Sequence, residues 1–157
     1  MLDIYVDADG CPVKDEVYRV AVRCGLRVTA VANRRITMPG LSSIRLVVVG
    51  DELDAADDWI ATHADREDIV VTGDIPLAAR CIARGARVVG HRGDVFTEDS
   101  IGDVVASRDL NTSLREAGVN TPGPAAFTTR DRSAFLAKLD ELIQAVRHGR
   151  GARRYDD

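Results

Sequence analysis

The sequence predicts a Rossmann-like α/β domain: a doubly wound, mostly parallel five-stranded sheet flanked by helices, with further helices at the carboxyl end. Three observations carry that expectation. Short β-prone runs alternate with amphipathic stretches of helical length, as in right-handed strand-helix-strand units. The run from Ile44 to Val49 (IRLVVV) is almost continuously apolar, as in a strand buried on both faces of a parallel sheet. Twice a strand runs into an acidic turn followed by a proline suited to a helix start, at Asp7-Ala8-Asp9-Gly10-Cys11-Pro12 and at Gly73-Asp74-Ile75-Pro76.

The elements follow in order. Leu2 to Val6 is the first strand, stopped by Asp7-Ala8-Asp9-Gly10. Pro12 is expected to open a helix in which Val13, Val17, Val20, Ala21 and Cys24 share one stripe until Gly25 ends it. Leu26 to Ala32 and Ile44 to Val49 are the next strands, joined by a loop holding Asn33-Arg34-Arg35 and Pro39-Gly40. Asp54 to Ala64 reads as a helix and Asp68 to Thr72 as the fourth strand. After Pro76 a helix is expected to turn Ala78, Ala79, Ile82 and Ala83 toward the sheet, and Ala86 to Val89 is the fifth strand. A helix from Ser100 to Ala117, a loop around Pro122-Gly123-Pro124 and a helix from Ser133 to His148 complete a single domain over residues 1–148. In that last helix Phe135, Leu136, Leu139, Leu142, Ile143 and Val146 form the apolar face. Residues 149–157 (GRGARRYDD) have no apolar pattern and are expected to be a basic, disordered tail.

The 157 residues, 45% apolar and 29% charged, fit one domain of ordinary size. Twenty-one Lys and Arg against 25 Asp and Glu give a net charge of −4, so no global positive field draws the chain onto nucleic acid or membrane. An anionic partner is therefore held locally. No apolar run approaches the ~20 residues of a bilayer helix, and no basic stretch leads a long apolar one at the start, so a cytoplasmic protein without membrane contact is expected. Cys11, Cys24 and Cys81 are odd in number and lack a CxxC pair, which argues against a disulfide framework and a Cys-based zinc site.

Ligands of open α/β sheets bind beyond the carboxyl ends of the strands, where strand order reverses. An order 3-2-1-4-5 brings Asp7 and Asp9, after the first strand, beside Asp74, after the fourth. Asp54, Asp57 and Asp58 start the intervening helix at the same edge, and offsets of 3 and 4 set them on one face. Carboxylates gathered on one rim repel one another unless a cation neutralises them, and hard oxygen donors suit Mg²⁺ or Mn²⁺. Such a site can activate water and stabilise the leaving oxygen in phosphate-ester hydrolysis. The residues leave a plainer reading open. Asp54 suits a helix N-cap, Asp57 and Asp58 suit a first turn, and Asp9 and Asp74 suit turns. Asp7 has no such role, because an acid ending an apolar strand loses hydration without capping anything. Lys14, Arg34, Arg35, Arg80, Arg84 and Arg92 occupy helix starts and loops expected near the rim, where they would grip a phosphate backbone. Cys11 precedes a helix start, which lowers a thiol pKa, though such a cysteine is more often a small buried residue. His63, His91 and His148 show no metal-ligand spacing and are expected at the surface.

In this order along nearly the whole chain, Asp7 to Lys14 (DADGCPVK), Asp54 to Asp57 (DAAD), Asp68 to Ala78 (DIVVTGDIPLA), Gly85-Ala86, Arg108-Asp109-Leu110, Gly123-Pro124 and Asp131-Arg132 resemble the YaiI/YqxD family of uncharacterised bacterial proteins. Gly10 stands where many members have Ala, a change the turn is expected to tolerate. That family is grouped with PIN-like domains, whose better-known relatives are Mg²⁺-dependent nucleases, many of them cutting RNA. The resemblance implies a PIN-like fold, Asp7 and Asp74 as catalytic residues, and Asp7, Asp57 or Asp58, and Asp74 as metal ligands. It sets Thr72, in a Thr-x-Asp motif, on the substrate side with Lys14, Arg34, Arg35 and Arg80. Where PIN domains commonly carry a further acid this chain has Pro76, and Asp9 is expected to serve instead. The implied reaction is phosphodiester hydrolysis, on RNA before DNA, with Mg²⁺ or Mn²⁺, in a protein that relatives of the fold suggest is a homodimer. Two other classes stay open. Asp7-Ala8-Asp9-Gly10 is similar to the nucleophile motif of haloacid-dehalogenase-like phosphatases, although the later acidic metal motif and a cap insertion are absent. Pro76 also suits a non-catalytic nucleic-acid or protein-binding module on the same fold.

Overall fold

The structure is a computed structural model that describes residues 2–118 and 126–156, without the side chains of 108, 111, 112 and 149–156. The loop predicted around Pro122-Gly123-Pro124 lies outside the described residues. The elements are β1 (Asp3–Asp7), α1 (Lys14–Cys24), β2 (Arg27–Ala32), β3 (Ile44–Val48), α2 (Ala55–His63), β4 (Ile69–Val71), α3 (Ile75–Ala83), β5 (Arg87–Val89), β6 (Val95–Phe96), α4 (Glu98–Glu116) and α5 (Thr129–Asp156). They form one sheet of order β3-β2-β1-β4-β5-β6. Every pairing is parallel except that of β6 with β5. The sheet thus has six strands where five were predicted. Val95-Phe96 is too short to show a period, and its place is set by a tight turn in which the Gly90 N–H donates to the Asp94 carbonyl (2.8 Å).

Strand alternation divides the core into two layers. Ile4 and Val6 of β1 face α1 and α5, where Val17, Val20, Ala21, Phe135, Leu139, Ile143 and Val146 are buried. Tyr5 faces the other layer with Ile60 and Ala61 of α2 and Leu77, Ala78, Cys81 and Ile82 of α3. The apolar stripes predicted for α1 and α5 are therefore the buried ones. The phase of α3 differs from expectation: Leu77 and Cys81 face the core and Ala83 is exposed. β3 lies at the sheet's edge, as the order 3-2-1-4-5 places it, but it is not buried on both faces: Ile44 is buried while Val48 is 48% exposed. A continuous apolar run does not distinguish an edge from a centre.

Helix boundaries follow their caps. Pro12 precedes α1 by a turn and does not open it. Pro76 does stand in the first turn of α3, behind Asp74 as N-cap, whose Oδ1 accepts from the Leu77 N–H (2.9 Å). Thr97 and Ser100 form a capping box that starts α4. Thr128 and Asp131 exchange backbone-to-side-chain bonds (3.0 and 3.1 Å) that start α5 ahead of the predicted Ser133. Its helical backbone continues to Asp156, past His148, where a disordered tail was expected. Arg and Ala there are good helix formers. Among the described residues no helix is long and apolar enough to cross a membrane.

Candidate active site

Strand order reverses between β1 and β4, and the carboxyl ends of both open onto one rim. β1 delivers Asp7 at its last residue, paired in register with Val31. Just past the end of β4, Thr72 is fully buried. Its hydroxyl donates to Asp7 Oδ2 (2.9 Å) and accepts from the Asp74 N–H (3.0 Å). One hydroxyl therefore couples the two acid-bearing turns. Thr72, expected on the substrate side, is in a position to orient Asp7 and out of reach of a ligand. Asp9 Oδ2 accepts from the Asn33 N–H (2.9 Å), which pins the β1 turn to the loop after β2.

A cavity of about 240 Å³ opens on this rim, lined by Asp7, Asp9, Asn33, Gly50, Glu52, Asp54, Ala55, Ala56 and Asp57. Every ionisable residue of that lining is acidic. Burial is the main cause that raises the Asp7 pKa; the Thr72 bond opposes it, and Asp74 and Asp9 add to it. Asp57 is pushed up to about 6, by burial first and then by Asp74, Asp7 and Asp54. Asp74 does not line the cavity, but both Asp7 and Asp57 feel its charge.

The structure separates the other expected residues. Asp58, adjacent to Asp57, is exposed and paired with Arg80 at 2.7 Å, outside the cavity. Arg80 thus bonds to Asp58 outside the cavity, while its charge also reaches Asp57 and opposes the rise in that residue's pKa. Arg34 and Arg35 are exposed beside Asn33, and Lys14 is the half-buried first residue of α1. Arg84, expected near the rim, stands at the far end of α3 and donates to the Ala64 carbonyl (2.8 Å). Asp54 has left-handed backbone (φ 63°) and its side chain makes no cap bond, which removes the capping role expected of it. Asp74 does cap, so for that residue the plainer reading and the site reading hold together. Gly10 has φ +70°, so the room around it does not spare an alanine the left-handed strain of roughly 1 kcal/mol. Cys11 is buried and its thiol is pushed up to about 11, the opposite of activation. His91 is half-buried, not at the surface, and burial lowers its pKa. Sequence reasoning missed Glu52 and Asn33 as rim residues. The Asp51-Glu52 pair after an apolar strand was the available signal.

The donor set suits a hard cation in kind, since it is all carboxylate oxygen. Its arrangement limits the form of binding: among the described residues no three His, Cys, Asp or Glu side chains are grouped to hold one ion. One or two carboxylates with water are the coordination these residues can offer, a mode common for Mg²⁺.

The chain matches a family model described as "Uncharacterized BCR, YaiI/YqxD family" over residues 5–145. It is similar to a UPF0178 protein of Bradyrhizobium sp. strain ORS 278, 52% identical over 152 residues that cover 97% of this chain and 93% of the relative. A UPF0178 protein of Rhodospirillum centenum is 53% identical over 154 residues, covering 96% of this chain and 100% of the relative. One from Nitrobacter winogradskyi is 52% identical over 150 residues, covering 96% of each. No solved structure matches.

Proposed function

The chain belongs to the YaiI/YqxD family, and on that footing we propose that it is a divalent-cation-dependent hydrolase of phosphodiester bonds, acting on RNA in preference to DNA. The observation that carries the reading is the acidic cavity at the switch point, five carboxylates with no basic residue among them. Asp7 and Asp57 are the pair best placed to hold Mg²⁺ or Mn²⁺, with Asp9 and Asp74 at their flanks. The cation would activate water and offset charge on the leaving oxygen. Thr72 keeps Asp7 aimed and favours its ionised form through one hydrogen bond. Lys14, Arg34 and Arg35 serve the phosphate backbone, and a net charge of −4 keeps that grip local. A homodimer and a cytoplasmic location belong to the same proposal.

Calorimetry with Mn²⁺ on the wild type, Asp7→Asn and Asp74→Asn tests it without a guess at substrate. Binding by the wild type that is lost in both variants is expected, together with Mn²⁺-dependent cleavage of single-stranded RNA by the wild type alone. Equal cleavage by all three proteins would remove these residues from the mechanism. A second reading, a non-catalytic binding module, is favoured by Pro76 and by the lack of a three-donor set among the described residues. It predicts RNA or protein binding without Mn²⁺ and without turnover.

A further inference from the structure

The first turn of α5 bonds directly to the connection between β1 and α1 and is linked to the Asp74 turn through Arg92 and its neighbour His91. On one side Arg132 Nη1 donates to the Pro12 carbonyl (3.2 Å), in the turn that carries Asp9, and to Glu16 Oε1 (2.7 Å). On the other side Arg92 donates to Asp131 Oδ2 (2.8 Å). The residue before it, His91, packs its ring against Gly73, between Thr72 and Asp74, so closely that a Cβ built there would stand 3.2 Å from the ring. Phe127 joins the two sides, with the guanidinium carbons of Arg92 and Arg132 at 5.8 and 5.1 Å from its ring centroid. Gly93, at φ +87°, brings its turn so close to α5 that a Cβ would meet the Ala134 carbonyl at 2.9 Å.

Stability alone is a poor account of Glu16. It is 4% exposed, and its Oε2 is buried without a hydrogen bond among the described residues. A buried carboxylate satisfied on one oxygen costs more than an apolar side chain of similar volume would. The ion pair does confer a fixed position on one guanidinium, a role such pairs serve in other folds. From this geometry we infer that Arg132 is a positioning residue for the rim: held by Glu16 and Phe127, it fixes the Pro12 carbonyl and so sets the turn that carries Asp9. The inference rests on the cation-site reading for one of its two readouts only.

The experiment pairs Mn²⁺ calorimetry on the full chain with amide hydrogen exchange at Asn33, whose N–H donates to Asp9. Arg132→Met is expected to weaken Mn²⁺ binding about 10-fold, as loss of a ligand's outer support does, and to speed exchange at Asn33 while leaving Val70 of β4 unchanged. Arg132→Lys, which keeps the charge and reaches one acceptor at a time, falls between. Glu16→Gln gives the same pattern more weakly and serves if Arg132→Met does not fold. A wild type that binds no Mn²⁺ overturns the cation site, and exchange at Asn33 alone then decides the role of Arg132. Unchanged Asn33 exchange, equal acceleration at Asn33 and Val70, or unchanged affinity in a binding wild type each overturns the inference.

Discussion

Asp57 lines a cavity with four other carboxylates, while Asp58, one residue on, is exposed and neutralised by Arg80. The sequence offsets that put both on one helix face could not separate them, because the phase of a helix against its sheet depends on packing and not on spacing. Asp7 was legible for a simpler reason: an acid ending a buried strand has no local role to explain it. Glu52 and Asn33 were not legible, since their positions depend on the course of loops. Asp57 is harder to ionise in the fold than in the unfolded chain, so its charge costs stability as pH rises from about 4 through about 6. Asp57→Asn is expected to stabilise the protein at pH 7 by about 1 kcal/mol, a figure kept small for solvent screening, and to have no effect below pH 4. Thermal melts at the two pH values check this. Stabilisation by removing an acid would mark the rim as arranged for a ligand and not for the fold.

Among the elements, the buried face of α5 was the most legible, and β6 was not legible at all. Phe135, Leu139, Ile143 and Val146 recur at helical spacing, and all are buried against β1 and α1. Leu139→Ala is expected to cost about 2–5 kcal/mol in denaturant unfolding, with an unchanged slope, because the cavity lies between rigid layers. The start of the same helix lay hidden, because Thr128 and Asp131 act by reciprocal bonds that a periodicity reading does not weigh. The run of β3 spoke for burial on both faces, yet at the edge where the order 3-2-1-4-5 sets it, Val48 is exposed. Arg45, exposed within that edge strand and bonded to Thr29 Oγ1 (2.9 Å), is the kind of charged residue that discourages another strand from adding there.

For the whole molecule, cation binding and folding are linked. If the rim binds Mn²⁺ only when folded, a concentration 100 times the dissociation constant raises stability by about 2.7 kcal/mol. That gain is expected in the wild type and absent in Asp7→Asn, as a shift in the thermal midpoint. The class of fold and the switch point were legible because strands and helices alternate visibly, and the acids stand where that topology opens. The contact between Thr72 and Asp7 spans 65 positions of sequence, and the one between Arg132 and Pro12 spans 120. A chain emerging from the ribosome therefore exposes Asp7 first and completes its surroundings last. At ordinary rates of elongation that interval is roughly 6 to 25 s. Through it a nascent chain carries the acids without the contacts that aim them, so full cation affinity at the rim is expected only after α5 has joined the fold.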